Sequence, residues 1–197
     1  MEMDQRLQKQ LEFCLKLDEA KNILRQTHLS QHGRRENDAE HAWHMAVMAY
    51  VLRDYANEPV DVGKLLIMCL IHDIVEIEAG DTYAYDEAGK KSQAEREAAA
   101  RDKLFGMLPA DQAAELAGLF DEFDEGKSPE ARFANAMDNL QPLILNHSNG
   151  GKDWIDHQVT YDQVFQRQSR TEAGSKVLFD YTQQVLDDHV KKGNLRK

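Results

Sequence analysis

Apolar residues recur at intervals of three and four along nearly the whole chain, and no stretch alternates convincingly between apolar and polar. Leu7, Leu11, Cys14 and Leu15, continued by Asp18 through Leu24, predict a first helix from about 4 to 26. "SQHGRREN" reads as a loop broken at Gly33. Asp38 can cap a second helix, about 39 to 57, carrying Met45, Met48 and Leu52. Pro59 and Asp61 open a third, about 61 to 77. "EAGDTYAYDEAGK" is a loop, and "SQAEREAAARDKLFGML" an amphipathic helix from about 92 to 107. Pro109 starts another, fading near Asp124. Ser128 caps a helix holding Ala131, Phe133, Met137, Leu140 and Ile144. "NHSNGGKD" is a loop, and two weaker helices follow, about 159 to 170 and 174 to 191. The expected fold is all-α, with helices connected otherwise than in a simple bundle.

The chain has 197 residues, enough for one good core. Its net charge of −11 argues against a broad basic surface for a nucleic-acid polymer. A small anionic substrate needs only a few local donors or a metal, so phosphate chemistry stays open. The longest apolar run, Leu65 to Ile71, is too short for a membrane span. The N-terminus is polar and charged, with no export signal, and Cys14 and Cys69 form no CxxC pair. The expectation is a cytoplasmic protein without disulfides or membrane contact.

The third helix is apolar on all sides and predicted to be buried, yet His72 and Asp73 continue it. A buried, unpaired carboxylate costs several kcal/mol or takes up a proton, so the site needs a positive partner. That partner is either a distant basic side chain or a metal ion. His41 points with the apolar stripe of Met45 and Met48. Asp138 shares a helix face with the small residues Ala131 and Ala134, and Pro142, four residues on, removes a hydrogen bond from its carbonyl. Two imidazoles and two carboxylates from three helices make a mixed nitrogen and oxygen ligand set, suited to Mn, Fe, Co, Ni or Zn, with Mg possible.

The ordered set His41, His72–Asp73 and Asp138 resembles the HD-domain phosphohydrolase superfamily. "RRENDAEHAWHMAVMA", "LIHDIVEIEAGDTYAYD" and "PEARFANAMDNLQPLILNHSNGG" are similar to the branch containing HD-domain 5'-deoxynucleotidases. The resemblance covers about 20 to 155, with the helices of 156–197 expected to pack on it as part of one HD domain spanning 1–197. It implies that His41, His72, Asp73 and Asp138 hold one divalent metal ion. It also implies that Glu76 and Asp81 flank the attacking water and the leaving group, and that Arg25 contacts the substrate phosphate. An aromatic residue can follow that arginine in the nucleotidases; here Gln26 stands in its place. The implied function is hydrolysis of a phosphomonoester, a (deoxy)nucleoside 5'-monophosphate in the first instance, by a homodimer.

Two other classes compete. A dinuclear HD oxygenase or cyclic-dinucleotide hydrolase needs further histidines, and none lies between Asp73 and Asp138. A non-catalytic nucleotide-sensing protein would not need the full ligand set with Glu76 and Asp81. Secondary candidates have ordinary readings beside the functional ones. His44 either supports His41 or packs beside Trp43, and His147 either lies near the site mouth or does not. Arg34 and Arg35 either line the site or are solvated, and Trp154 reads as a packing anchor. The loop 78–90, with Tyr83 and Tyr85, is either a lid or a static connection.

Overall fold

The computed structural model describes residues 4–86 and 88–197. Met1 to Met3, in the polar N-terminus, and Glu87, in the loop 78–90, lie outside the described residues. Helices dominate, and the all-α expectation holds apart from one small hairpin. No described helix is long and apolar enough to cross a membrane.

Helix α1 (Gln5–Leu17) stops well before the predicted end. A 3-10 turn (Asp18–Asn22) follows, and then strand β1 (Leu24–His28) pairs antiparallel with β2 (Arg35–Asn37). Strands of five and three residues are too short to display an alternation. They form because β1 lies against the helices of residues 129–148 and 152–156 and β2 against the helix that begins at Asp38, so tertiary packing overrides the local pattern.

Helix α2 (Asp38–Leu52) is capped by Asn37 rather than Asp38. The Asn37 side chain accepts the Glu40 N–H at 3.0 Å, and the Glu40 carboxylate accepts the Asn37 N–H at 3.2 Å. This reciprocal cap accounts for the three-residue spacing of Asn37 and Glu40 in "RRENDAEHAWHMAVMA". It also moves Asp38 into the first turn, where it is buried. The helix closes at Leu52 in a 3-10 turn, Arg53–Tyr55.

Helix α3 (Val62–Ile71) ends one residue before His72, contrary to the expected continuous run to about 77. Nor is it buried all round. Leu65, Met68 and Cys69 are fully buried, whereas Ile67 and Leu70 are 40% and 43% exposed. After α3 the chain tightens into i to i+3 bonding. The Ile74 N–H donates to Ile71 at 3.2 Å and the Glu76 N–H to Asp73 at 2.9 Å, before the short α4 (Glu76–Ala79). Helices α5 (Lys90–Phe105) and α6 (Ala110–Glu125) follow.

Helix α7 (Pro129–Ser148) is the axis of the molecule. It contacts α2, α3, α6, α8, α9 (Tyr161–Gln168), α10 (Thr171–Gly174), α11 (Lys176–Lys191) and β1. It runs through Pro142 and takes in residues 146–148 of the predicted loop, leaving α8 (Lys152–Asp156) as a short turn. Ala131, Ala134 and Ala136 are fully buried on it and let neighbours come close. The closest is Gly174, where a Cβ would meet the Arg132 carbonyl oxygen at 2.2 Å.

Two apolar clusters result. One joins α2, α3 and α7 to the C-terminal helices through Met45, Met68, Phe133, Met137 and Leu186. The other joins α1, α5 and α6 to Ile74 and Val75 of the tight turn. The turn bearing His72 and Asp73 is therefore clamped between two cores.

Candidate metal centre and active site

His41 comes from the second turn of α2, His72 from the C-cap of α3, Asp73 from the tight turn and Asp138 from the middle of α7. Packing brings all four together. His41 Nε2 lies 3.2 Å from Asp138 Oδ1 and 3.8 Å from Asp73 Oδ2. His72 Nε2 lies 3.0 Å from Asp73 Oδ2 and 3.8 Å from Asp138 Oδ1.

The outer ring nitrogens decide which nitrogen faces inward. His72 Nδ1 is 3.0 Å from the Cys69 carbonyl oxygen, and His41 Nδ1 is 3.0 Å from Gln141 Oε1. Both partners are acceptors, so each Nδ1 carries the proton and donates it. Each Nε2 then faces the two carboxylates, the orientation a metal ion requires of a histidine ligand. The buried Nε2 of His72 has no hydrogen-bond partner of its own. These four side chains could hold a divalent transition ion, and a cation is what the surplus of acids around them calls for.

Gln141, on α7 and fully buried, fixes this orientation. Its amide donates to Glu36 Oε1 at 2.6 Å and lies 3.1 Å from His44 Nδ1. His44 thus stands behind the site, held by the same amide that orients His41. Gln141→Leu is expected to weaken binding of a divalent ion by about 10- to 100-fold, read by metal titration of the stripped protein.

Glu76 and Asp81 border the same cavity, of about 220 Å³, together with Arg25, Gln26, His72, Asp73 and Asp138. Glu76 shares a face with Asp73 because three-residue spacing eclipses side chains in i to i+3 bonding. Asp38, in the first turn of α2 rather than at its cap, joins this group. Asp38, Asp73 and Glu76 each direct a carboxylate oxygen to within 4.8 Å of the others.

Arg25, on β1, crosses to these acids. Its Nη1 is 2.5 Å from Asp73 Oδ2 and 3.6 Å from Asp38 Oδ1. Arg167, on α9, approaches from the other side, with Nη2 3.1 Å from Asp138 Oδ2. Sequence reasoning missed Arg167, Asp38 and Gln141. Gln141 alone carried a signal, as a polar residue inside the apolar run "NLQPLIL".

The charges follow from this geometry. Burial would raise the Asp73 carboxyl, but His72 and Arg25 outweigh it and hold it well below the usual carboxylate range. Burial is likewise overcome at Asp138, by Arg167 and by the His41 and His72 imidazoles beside it. Burial opposes charge on His72, yet Asp73 and Asp138 raise it to about 10. The acids farther from the histidines go the other way. Burial and the charge of Asp73 push Glu76 up to about 11 and Asp38 up to about 7. Asp81 is raised mainly by its burial.

The remaining candidates separate. Trp154 is buried and also lines the cavity, as do Tyr83 and Tyr85. His147 faces His189 of α11 at 3.0 Å, and Arg34 pairs with Glu40 at the surface. Neither lines the cavity. Cys14 and Cys69 are free thiols; burial pushes the Cys69 thiol up to about 12.

Known proteins resemble this chain over most of its length. The HD domain family model matches residues 17–178. The human protein 5'-deoxynucleotidase HDDC2 is 28% identical over 151 residues, covering 71% of this chain and 72% of its own. The mouse protein of that name is 30% identical over 109 residues, 55% of this chain and 53% of its own. The chain thus spans about half the length of the mouse relative it matches. A crystal structure described as a predicted metal-dependent phosphohydrolase, from Magnetospirillum magnetotacticum MS-1, is 48% identical. It superposes with a TM-score of 0.93, over 98% of this chain and 96% of that one. The chain belongs to the HD domain family.

Proposed function

We propose that this phosphohydrolase removes the phosphate from a (deoxy)nucleoside 5'-monophosphate, with one divalent transition ion held by His41, His72, Asp73 and Asp138. The carrying observation is the convergence of two imidazole Nε2 atoms and two carboxylates, with both Nδ1 protons committed to acceptors behind them. The ion is Mn, Co, Fe, Ni or Zn, or Mg.

Such an ion polarises a phosphoryl oxygen and makes water acidic enough to attack at neutral pH. The protein's own groups do the rest. Arg25 uses one edge of its guanidinium on Asp73 and offers its other N–H groups to the phosphoryl oxygens. It stands among Asp38, Asp73 and Glu76, where a second cation would otherwise sit, which favours a mononuclear reading. Glu76 and Asp81 handle the protons: one leaves the attacking water and one reaches the departing 5' oxygen. Gln26, Tyr83, Tyr85 and Trp154 form the cavity wall available to sugar and base.

The whole described chain acts as one HD unit in this reading. It works in the cytoplasm as a homodimer, for which Trp43, Val47, Tyr50 and Val51 on the exposed side of α2 supply an apolar contact.

The test is phosphate release from ribo- and deoxyribonucleoside 5'-monophosphates with Mn, Co, Zn or Mg added in turn. Release that requires metal and vanishes in Asp73→Ala is the expected result. The expected sugar preference is weak, because Gln26 lacks the flat face that an aromatic residue would offer. No release above the variant with any metal or nucleotide overturns the reading.

A further inference from the structure

A second cluster of side chains able to hold a metal lies at the end of the hairpin and includes none of the four residues described above. β1 terminates at His28, and the turn beyond it bends back through Gln31 and His32. Both adopt left-handed backbone, with φ of 66° and 54°, a conformation unusual for residues other than glycine. The turn is stitched in place. The His32 N–H donates to Leu29 at 3.1 Å and to Asn149 Oδ1 at 2.5 Å. The two imidazoles are thereby stacked, with centroids 4.3 Å apart and planes 20° from parallel.

Both rings face Asp153, a buried carboxylate on α8. His28 Nδ1 is 2.6 Å from Asp153 Oδ1, and the His28 backbone N–H donates to Asp153 Oδ2 at 3.1 Å. His32 Nε2 lies 3.4 Å from the same Oδ1 and 3.9 Å from Asp156 Oδ2. That Nε2 is buried and makes no hydrogen bond. One donor atom from each of His28, His32 and Asp153 lies within 4.8 Å of the others.

We propose that His28, His32 and Asp153, with the more exposed Asp156 as fourth ligand, form a second transition-metal site of the zinc type. Tetrahedral zinc with bonds of about 2.0–2.2 Å sets its donors roughly 3.3 Å apart. The 3.4 Å separation already matches. The 2.6 Å pair opens when the ion replaces the proton shared by His28 and Asp153, which leaves to solvent. Two imidazoles select zinc, cobalt or nickel over magnesium or calcium, which prefer oxygen alone. With four protein ligands the site is structural rather than catalytic. It ties β1, which carries Arg25, to α8, whose Asp153 and Trp154 border the cavity.

The experiment is a zinc titration of the metal-stripped full chain, counted by native mass spectrometry. Two ions per chain are expected, falling to one in Asp73→Ala and to one in His32→Ala, with different ions lost. A second measurement avoids any effect of the His32 substitution on folding. Cobalt(II) added to Asp73→Ala must shift and broaden the imidazole resonances of His28 and His32. If Asp73→Ala binds no ion, or cobalt in it perturbs only His41 and His72, the second site does not exist. If His32→Ala keeps both ions, these ligands are wrong. Neither result depends on phosphatase activity, so the inference stands or falls apart from the proposed reaction.

Discussion

Asp73→Ala is expected to reduce metal-dependent phosphate release by about 10³-fold, the scale set by losing a group that stabilises charge at the reacting centre. Asp73 is where both imidazoles and the Arg25 guanidinium meet on a single oxygen. Its Oδ2 lies 3.0 Å from His72 Nε2, 3.8 Å from His41 Nε2 and 2.5 Å from Arg25 Nη1. Removing it withdraws one of four ligands and leaves Arg25 without its nearest partner. The check has two parts, phosphate release and metal content of the same preparation. Loss of release together with one bound ion supports the ligand assignment. Loss of release with no bound ion lost would make Asp73 a holder of Arg25 only. Retained release would remove Asp73 from the mechanism.

Arg25→Ala is expected to lower kcat/KM by about 10²- to 10³-fold while leaving metal affinity intact or tighter. The guanidinium is buried and stays charged because burial, which opposes it, is outweighed by Asp73, Glu76, Asp138 and Asp38. Its loss removes the donors for the phosphoryl oxygens. It also removes a positive charge that competes with the ion for Asp73. Arg25→Lys should recover only part of the loss, since an ammonium cannot pair with a carboxylate and a phosphate along two separate edges. Steady-state kinetics with inorganic phosphate as competitor provides the check: weaker phosphate inhibition in both variants is the expected companion. If phosphate inhibits Arg25→Ala as well as it does the parent, the guanidinium serves only to neutralise the acids.

Asp73 and Arg25 also show how far the sequence could be read. The histidines and acids of the metal set stood out because ionisable groups interrupted apolar helical stripes, and their order carried the family resemblance. The 3.6-residue repeat was enough for the helical class and for most elements. The hairpin was not legible, since two strands this short are stabilised by contact with α7, α8 and α2 rather than by their own composition. The break after Ile71 escaped for a related reason. "LIHDIVEIEA" has an acceptable helical pattern throughout, and the tight turn forms where two separate cores grip Ile74 and Val75 on one side and Met68 on the other.

What the sequence determined by itself is therefore local and chemical: helix-forming periodicity, caps such as Ser128, the absence of a membrane-length apolar run, and a set of ligand types in family order. What the tertiary structure alone decided is which of these groups meet. Asp38 turned inward because Asn37 took the cap. Arg167 reached Asp138 because α9 lies against α7. Gln141 became the holder of His41 because α2 packs on α7. Each of these meetings joins residues distant in the chain, and no local propensity encodes it. They arise from the close approach that small side chains on α7 permit, and from the need of every buried charge for a partner.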